Sequence, residues 1–412
     1  MLDGSDVDAL FDPELPDPEH WERQFAARQL PPGAEVTRFG PSPTGSLHIG
    51  GVYTAMISKD VARHTGGSYL VRIEDTDRSR EVAGADEQFA RAFSYFGIEP
   101  DPGNEPWGPL RQSRRADIYL SHVRALMRDG RAYPCFCSRE ELAEMSAQQR
   151  VAGLPTGYYG GWARCRDLPA DQVLARLADG QEWVVRFGAP ADAPARVRWT
   201  DRIRGPVDAE ANRNDVVLLK GSRQPVRLPT YHFAHAVDDH LMRVTLVIRG
   251  DEWMSSVPVH LQLFEALGFA PVDYAHIAPL MKQQGASRRK LSKRNDPEAS
   301  VDFYLEAGYP AAAVLYYLRG LANGRLAELP LEQALAEPVR LAECGHAGPQ
   351  LDIAKLDDIS RDHIAALPGP EVLAQVQRWA TMYDPELAGV LSRHLDLARR
   401  AIDVERVGVD TP

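Results

Sequence analysis

The chain has 412 residues, 44% of them hydrophobic and 25% charged, the balance of an ordinary globular protein rather than a disordered or fibrous one. Its 47 Lys and Arg stand against 58 Asp and Glu, a net charge of −11, which excludes a protein that coats nucleic acid indiscriminately but leaves room for a local basic face. No apolar run approaches the roughly 18 residues a transmembrane helix needs, and the acidic start MLDGSDVDALFDPELPDPEH lacks the layout of a signal peptide. No membrane partner is expected.

In chain order, residues 1–34 read as an acidic, Pro-rich extension with one short helix near Pro18–Gln29, capped by Asp17. EVTRF then reads as a strand and GPSPTGS as a loop. Apolar and small residues recur at helical spacing from Leu47 to the Gly66–Gly67 stop, and SYLVRIED is a second strand. Strand, loop, helix, strand is a βαβ unit and implies a parallel sheet. Residues 116–228 differ in texture, with short segments between turns, and read as an insertion. Buried strand character returns in VRLPTYHFAHAVDDHLMRVTLVIRGDEW, and helical composition dominates beyond about residue 300, as in AAAVLYYLRGL and EVLAQVQRWATMY. The expected fold is α/β: a Rossmann-like parallel-sheet domain (35–115 and 229–282), the inserted subdomain (116–228), a lysine-loop domain (283–370) and a partial helical domain (371–412).

Two short runs carry the first chemical signals. In Pro41-Ser42-Pro43-Thr44-Gly45-Ser46-Leu47-His48-Ile49-Gly50, small residues at a helix start let backbone N–H groups and the helix dipole approach phosphates. His48 adds a donor, and Gly50 and Gly51 leave room for a nucleotide. Far downstream, Lys290-Leu291-Ser292-Lys293-Arg294 offers two ammonium groups to a triphosphate and to charge developing on a leaving pyrophosphate. Taken singly, each run is as well explained by a tight turn or a solvated basic loop; their joint presence and order decide between the readings.

LHIG and KLSKR resemble the two signatures of class I aminoacyl-tRNA synthetases. TRFGPSPTGSLHIGG, RIEDTDRSR, DRIRGPV, LPTYHFAHAVDDHLM, IRGDEW and RKLSKR resemble the bacterial glutamyl-tRNA synthetase family, from about residue 35 to at least 325. The resemblance implies that Arg38, Ser42, Glu74, Tyr231, His235 and Arg249 bind glutamate: guanidiniums for its carboxylates and an acid for its ammonium. It implies that Gly40, Ser42, Thr44, His48, Gly50, Glu252, Trp253, Lys290 and Lys293 meet ATP, with His48, Lys290 and Lys293 catalytic beside Mg²⁺. The partners implied are L-glutamate, ATP and tRNA, handled by a cytoplasmic monomer. Glutamate would be activated as its adenylate and passed to the 2′-hydroxyl of the terminal adenosine, with tRNA needed even for activation. Two departures stand out: Gly40 where the family usually has Ala, and His235 where it often has Asn.

Only four cysteines in so long a chain do not make a disulfide scaffold. Cys135, Cys137, Tyr159 and Cys165 resemble the structural zinc site of some family members, with Asp167 the other candidate for fourth ligand; three reduced thiols packed as small hydrophobes are the alternative. The chain stops where family members continue into an anticodon-reading bundle. That leaves a synthetase that reads its tRNA mainly through the acceptor arm, a specialised paralogue charging tRNA for a biosynthetic pathway, or a truncated chain. The rival functions are a glutamyl-queuosine tRNA synthetase, a tRNA-independent amino-acid ligase and a non-catalytic nucleotide-binding regulator. The long stretch after Arg294 disfavours the first, and the retained His48, Lys290 and Lys293 disfavour the last.

Overall fold

The computed structural model describes residues 2–285 and 287–407. Among them the strands run β1 (Val36–Phe39), β2 (Ser68–Val71), β3 (Ala132–Cys135), β4 (Val184–Phe187), β5 (Arg196–Asp201), β6 (Gly205–Glu210), β7 (Val217–Leu219), β8 (Leu246–Gly250), β9 (Asp273–Ile277), β10 (Met281–Gln284) and β11 (Ser287–Lys290). They form a six-stranded sheet in the order β2-β1-β8-β9-β5-β6, a three-stranded sheet β3-β4-β7 and the hairpin β10-β11. β1 and β2 pair in parallel from Val36↔Ser68 to Phe39↔Val71, with helix Ile49–Thr65 between them in sequence. β1 also pairs in parallel with β8. The expected βαβ unit and parallel core are therefore present.

Local chemistry explains these elements. β1 is buried at every position, the pattern of a strand covered on both faces of a parallel sheet. After helix Ile49–Thr65 the chain must reverse at once into β2. Gly66 takes φ 71°, which glycine tolerates at a helix end. A Cβ on Gly67 would lie 1.9 Å from the backbone oxygen of Glu35, so only glycine lets β2 lie against the residue preceding β1.

The chain folds as two compact units. One gathers the chain up to Pro43, then Thr65–Glu81 and Pro100–His276; the other gathers Thr44–His64, Val82–Glu99 and the chain from Ile277 onward. The first holds both larger sheets and a core that includes Phe25, Leu70, Val123, Phe233, Val247, Leu263 and Tyr274. The second holds the β10-β11 hairpin and helices including Ala311–Ala322, Ile353–Ala366, Gly369–Tyr383 and Leu395–Val407. None of the described helices is long and apolar enough to cross a membrane.

The structure adds detail to these expectations. Residues 116–228 are not wholly separate from the main sheet: β5 pairs in parallel with β9 through Asp201↔Tyr274, and β6 follows it at the edge. The N-terminal extension packs into the first unit's core, where Val7 and Phe25 are each 1% exposed. Its second helix spans Pro18–Gln24 and stops as Phe25 turns inward. Asp17 sits at the cap position without a capping bond; its carboxylate instead pairs with Arg124 at 2.8 Å.

Candidate active site

The order of strands places the first group of residues. From β1 the chain proceeds on one side to β2 and later returns on the other as β8, so β1 is where the strand order reverses. Ligands of open parallel sheets bind outside the carboxyl ends of strands at such a point. Arg38 lies near the carboxyl end of β1, Arg249 near that of β8, and Glu74 three residues beyond β2.

Arg38 is 4% exposed and pairs with Asp239 at 3.4 Å. Burial pulls its pKa down, but Asp239 overrides this and holds it above the usual arginine value. Asp239 also takes a 2.5 Å bond from Arg72 and lies 2.6 Å from His235 Nδ1. Burial opposes its charge, yet the neighbouring Arg38 and Arg72 keep it well below the ordinary carboxylate range. Arg72 donates onward to Glu74 Oε1 at 2.9 Å. Glu74 fits beside Gly40 because that residue has no side chain; a Cβ there would lie 2.4 Å from Glu74 Oε1.

Arg249 is arranged differently. It is 5% exposed, and its donors go to His276 Nε2 at 3.1 Å, the Tyr231 hydroxyl at 3.1 Å, the Trp253 carbonyl at 3.3 Å and His260 Nδ1 at 3.3 Å. Among the described residues no carboxylate pairs with it. Burial lowers the pKa of both His276 and His260, so these partners are neutral. Tyr231 packs on Trp253 with ring centroids 4.4 Å apart. His235 is fully buried, with Nδ1 on Asp239 and Nε2 2.8 Å from the Tyr274 hydroxyl. Both of its nitrogens thus have partners inside the protein.

In the second unit, the two signature runs meet. Lys293 donates to the backbone oxygen of Ser46. Ser46 Oγ lies 2.9 Å from Ser300 Oγ, and Val301 N–H donates to the Leu47 oxygen at 2.9 Å. His48 Nδ1 accepts the Gly50 N–H at 2.9 Å, which leaves the proton on Nε2. Burial and the nearby Lys293 lower its pKa, against a backbone bond to Leu291 that raises it. The imidazole is thus a neutral donor at physiological pH. Lys290 ends β11, and the loop after it is braced by Asp296, which takes bonds from Arg289 at 2.6 Å and from the Ser292 N–H at 2.9 Å. Ser42 and Thr44 are exposed. Glu252 folds back over Gly250, where a Cβ would lie 2.2 Å from its Oε2.

The sequence reading missed Asp239, Arg72, His260, His276 and Asp201. The signal for two of them was present: Asp239 lies four residues after His235 on helix Tyr231–Leu241, and Arg72 shares a strand end with Glu74.

Within the first unit, the sulfurs of Cys135, Cys137 and Cys165 lie within 4.8 Å of one another. The hydroxyl that faces these sulfurs is that of Tyr158 rather than of Tyr159, the residue the resemblance implied. The Tyr158 hydroxyl is 3.4 Å from Cys135 Sγ and 3.3 Å from Cys137 Sγ, whereas Tyr159 turns outward to the Pro155 carbonyl at 2.6 Å.

A parallel sheet with buried arginines near the strand ends at its switch point, and a lysine loop bonded to the start of a helix, is the layout of a class I aminoacyl-tRNA synthetase. Residues 35–358 match the family described as tRNA synthetases class I (E and Q), catalytic domain. The chain belongs to this family. It is 40% identical over 401 residues to the glutamate–tRNA ligase of Clostridium beijerinckii, covering 95% of this chain and 72% of that one. It is 38% identical to the glutamate–tRNA ligase of Sorangium cellulosum, covering 95% and 74%. Among solved structures, the glutamate tRNA ligase of Elizabethkingia meningosepticum in complex with its amino acid superposes with TM-score 0.75 at 29% identity, covering 89% of this chain and 77% of that one. The glutamate-tRNA synthetase of Elizabethkingia anophelis gives 0.76 at 30% identity, covering 90% and 78%.

Proposed function

We propose that the chain is a glutamate–tRNA ligase, which activates L-glutamate with ATP and Mg²⁺ and transfers it to the 3′-terminal adenosine of tRNA(Glu). An α-carboxylate oxygen of glutamate attacks the α-phosphorus of ATP, the bond to the bridging oxygen breaks, and pyrophosphate leaves. A ribose hydroxyl of the tRNA then attacks the glutamyl carbonyl, and AMP leaves. No side chain forms a covalent intermediate. Catalysis rests on positioning and on charge stabilisation.

The observation that carries the reading is Arg249: a buried guanidinium held only by neutral acceptors, so its charge is available to a substrate carboxylate. Arg38 serves the other carboxylate, Glu74 the ammonium, and Tyr231 the side-chain end. His48 serves the triphosphate with Lys290, Lys293, Gly50 and the Gly40–Thr44 loop, while Glu252 and Trp253 meet ATP and the tRNA end. His235 acts through Asp239.

The cysteine cluster fits a structural zinc ion. Three thiols and a phenol converge at tetrahedral-ligand spacing, and such a closed set leaves no open position for chemistry. Its place is to pin the loop carrying Cys165 to the end of β3. Four free thiols suit a reducing compartment, and a cytoplasmic monomer is part of this reading.

The test is charging of total homologous tRNA with labelled glutamate, with and without Lys293→Ala. Charging that the substitution abolishes supports the reading. Glutamate-dependent ATP–pyrophosphate exchange without any tRNA charging would replace it with a small-molecule ligase.

A further inference from the structure

We infer that the N-terminal segment, residues 2–28, is a positioning element for the amino-acid site, acting through a buried chain of charges that ends at Glu74. This rests on the reading of Glu74 as the acceptor for the substrate ammonium.

The segment is clasped, not draped. Arg243 donates to the Phe25 carbonyl at 3.0 Å and to Glu22 at 2.8 Å, and His240 lies 2.5 Å from the same Glu22 carboxylate. Arg28 returns a bond to the Met242 carbonyl at 3.0 Å and lies 3.8 Å over the Trp107 ring. Trp107 Nε1 donates back to the Ala26 carbonyl at 3.0 Å. Arg243 holds its place in a left-handed conformation, φ 59°, the one such non-glycine residue among those described. A side chain there is rare, and this one is spent entirely on the segment and the turn beneath it.

What the clasp presents is Phe25, 1% exposed. The Arg115 guanidinium lies 5.1 Å over its ring, an arrangement in which cation and ring attract. Arg115 is itself 1% exposed and donates to Asp238 Oδ1 at 2.8 Å. The other oxygen of Asp238 takes bonds from Tyr119 at 2.7 Å and Gln112 at 2.8 Å, and faces Arg72 Nε at 3.7 Å. Arg72 then divides its remaining nitrogens between Asp239, at 2.5 Å, and Glu74, at 2.9 Å. Every member from Phe25 to Asp239 is buried, so water screens none of them, and displacing one shifts the optimum of the next. Removing Phe25 or its clasp uncovers Arg115, whose remaining anchors are Asp238 at 2.8 Å and the Trp107 and Pro109 carbonyls at 3.3 and 3.4 Å, and loosens its hold on Asp238. Asp238 then recruits Arg72 more fully, and Glu74 loses the bond that aims it.

The experiment measures KM for glutamate and for ATP in tRNA charging, with the thermal midpoint, for Phe25→Ala, Arg243→Gly and Glu22→Gln in the full chain. Glycine suits the left-handed conformation, so Arg243→Gly removes the clasp without straining the turn. Glu22→Gln is a milder change should Phe25→Ala misfold. The expected result is a roughly tenfold rise in glutamate KM for Arg243→Gly and Phe25→Ala, and a smaller one for Glu22→Gln, in line with couplings between contacting residues, with KM for ATP unchanged. A lowered midpoint with both KM values unchanged, or an equal rise in both, overturns the inference and leaves the segment merely structural. Glu74→Gln in the same assay separates the two readings. If it leaves glutamate KM unchanged, the assignment of Glu74 fails and this inference with it. If it raises glutamate KM while the clasp variants do not, only the chain of positioning fails.

Discussion

Arg249 Nε donates to His276 Nε2 at 3.1 Å, and the other nitrogen of that ring lies 2.6 Å from Asp201 Oδ2. Asp201 fixes the proton on His276 Nδ1, so Nε2 can only accept. The nearest support for Arg249 is therefore a dipole, with the negative charge one imidazole away. An arginine so held keeps its attraction for an incoming carboxylate while its fork is locked in place.

Arg249→Gln should remove that attraction and keep a hydrogen-bonding side chain of similar reach. Losing one partner of a buried charge pair costs about 2–5 kcal/mol, so glutamate-dependent ATP–pyrophosphate exchange should fall by roughly 30-fold or more in kcat/KM. KM for ATP should change little. Unaltered glutamate kinetics would remove Arg249 from the amino-acid site.

The cysteine cluster should hold one zinc ion per chain by elemental analysis. Strong chelation should lower the thermal midpoint, because bound metal stabilises only the folded state. Tyr158→Phe should weaken metal retention and Tyr159→Phe should not, since only Tyr158 faces the sulfurs. Equal retention in both variants would argue that a water or Asp167 completes the site.

Gly67→Ala should be among the most damaging single-methyl changes in the chain. The added carbon meets a backbone oxygen at 1.9 Å, and backbone in a parallel ladder cannot move aside as a flexible side chain can. A loss of about 2–4 kcal/mol is expected, read as a drop in the denaturation midpoint. Gly33→Ala serves as the comparison: it carries a positive φ but has no atom within 4 Å of the added carbon, so its cost should be the smaller conformational one of about 1 kcal/mol.

Stability should fall on mild acidification. Burial lowers His235 to about 3 and His122 to about 4, from an ordinary 6.5, and also lowers His232, His260 and His276. Below 6.5 the unfolded chain takes up protons that the folded chain refuses. Stability is therefore present above that value and is lost as pH falls toward the folded values. Each such histidine contributes a slope of about 1.4 kcal/mol per pH unit within its window. Asp239, held low by its arginines, adds its loss only at lower pH. Thermal midpoints that stay flat from pH 6.5 to 4.5 would contradict this picture of neutral buried imidazoles.

Much of this protein was legible in the sequence because its chemistry is local. The turn from Pro41 to Gly50, the helix it starts and the basic run from Lys290 to Lys293 are each specified by neighbours in the chain, through small residues, helix period and charge. The alternation of β1, helix and β2 is likewise a matter of adjacent periodicities. Even Arg38, Glu74 and Arg249, the residues proposed to meet an amino acid, sit at or just beyond recognisable strand ends. What the local pattern could not decide was partnership across distance. Tyr158 and Tyr159 are equivalent as letters, and only the path of the loop turns one hydroxyl to the sulfurs and the other to Pro155. His235 is a glutamate contact only by resemblance, and its partners Asp239 and Tyr274 were visible only in the fold. The acidic segment before Glu35 reads only as an extension with a short helix, and the fold adds its clasp by Arg243 and Arg28 and the entry of Phe25 into the core. Burial assigned these roles: once water is excluded, each polar group must find a partner, and which partner it finds depends on residues brought together only by the folded chain.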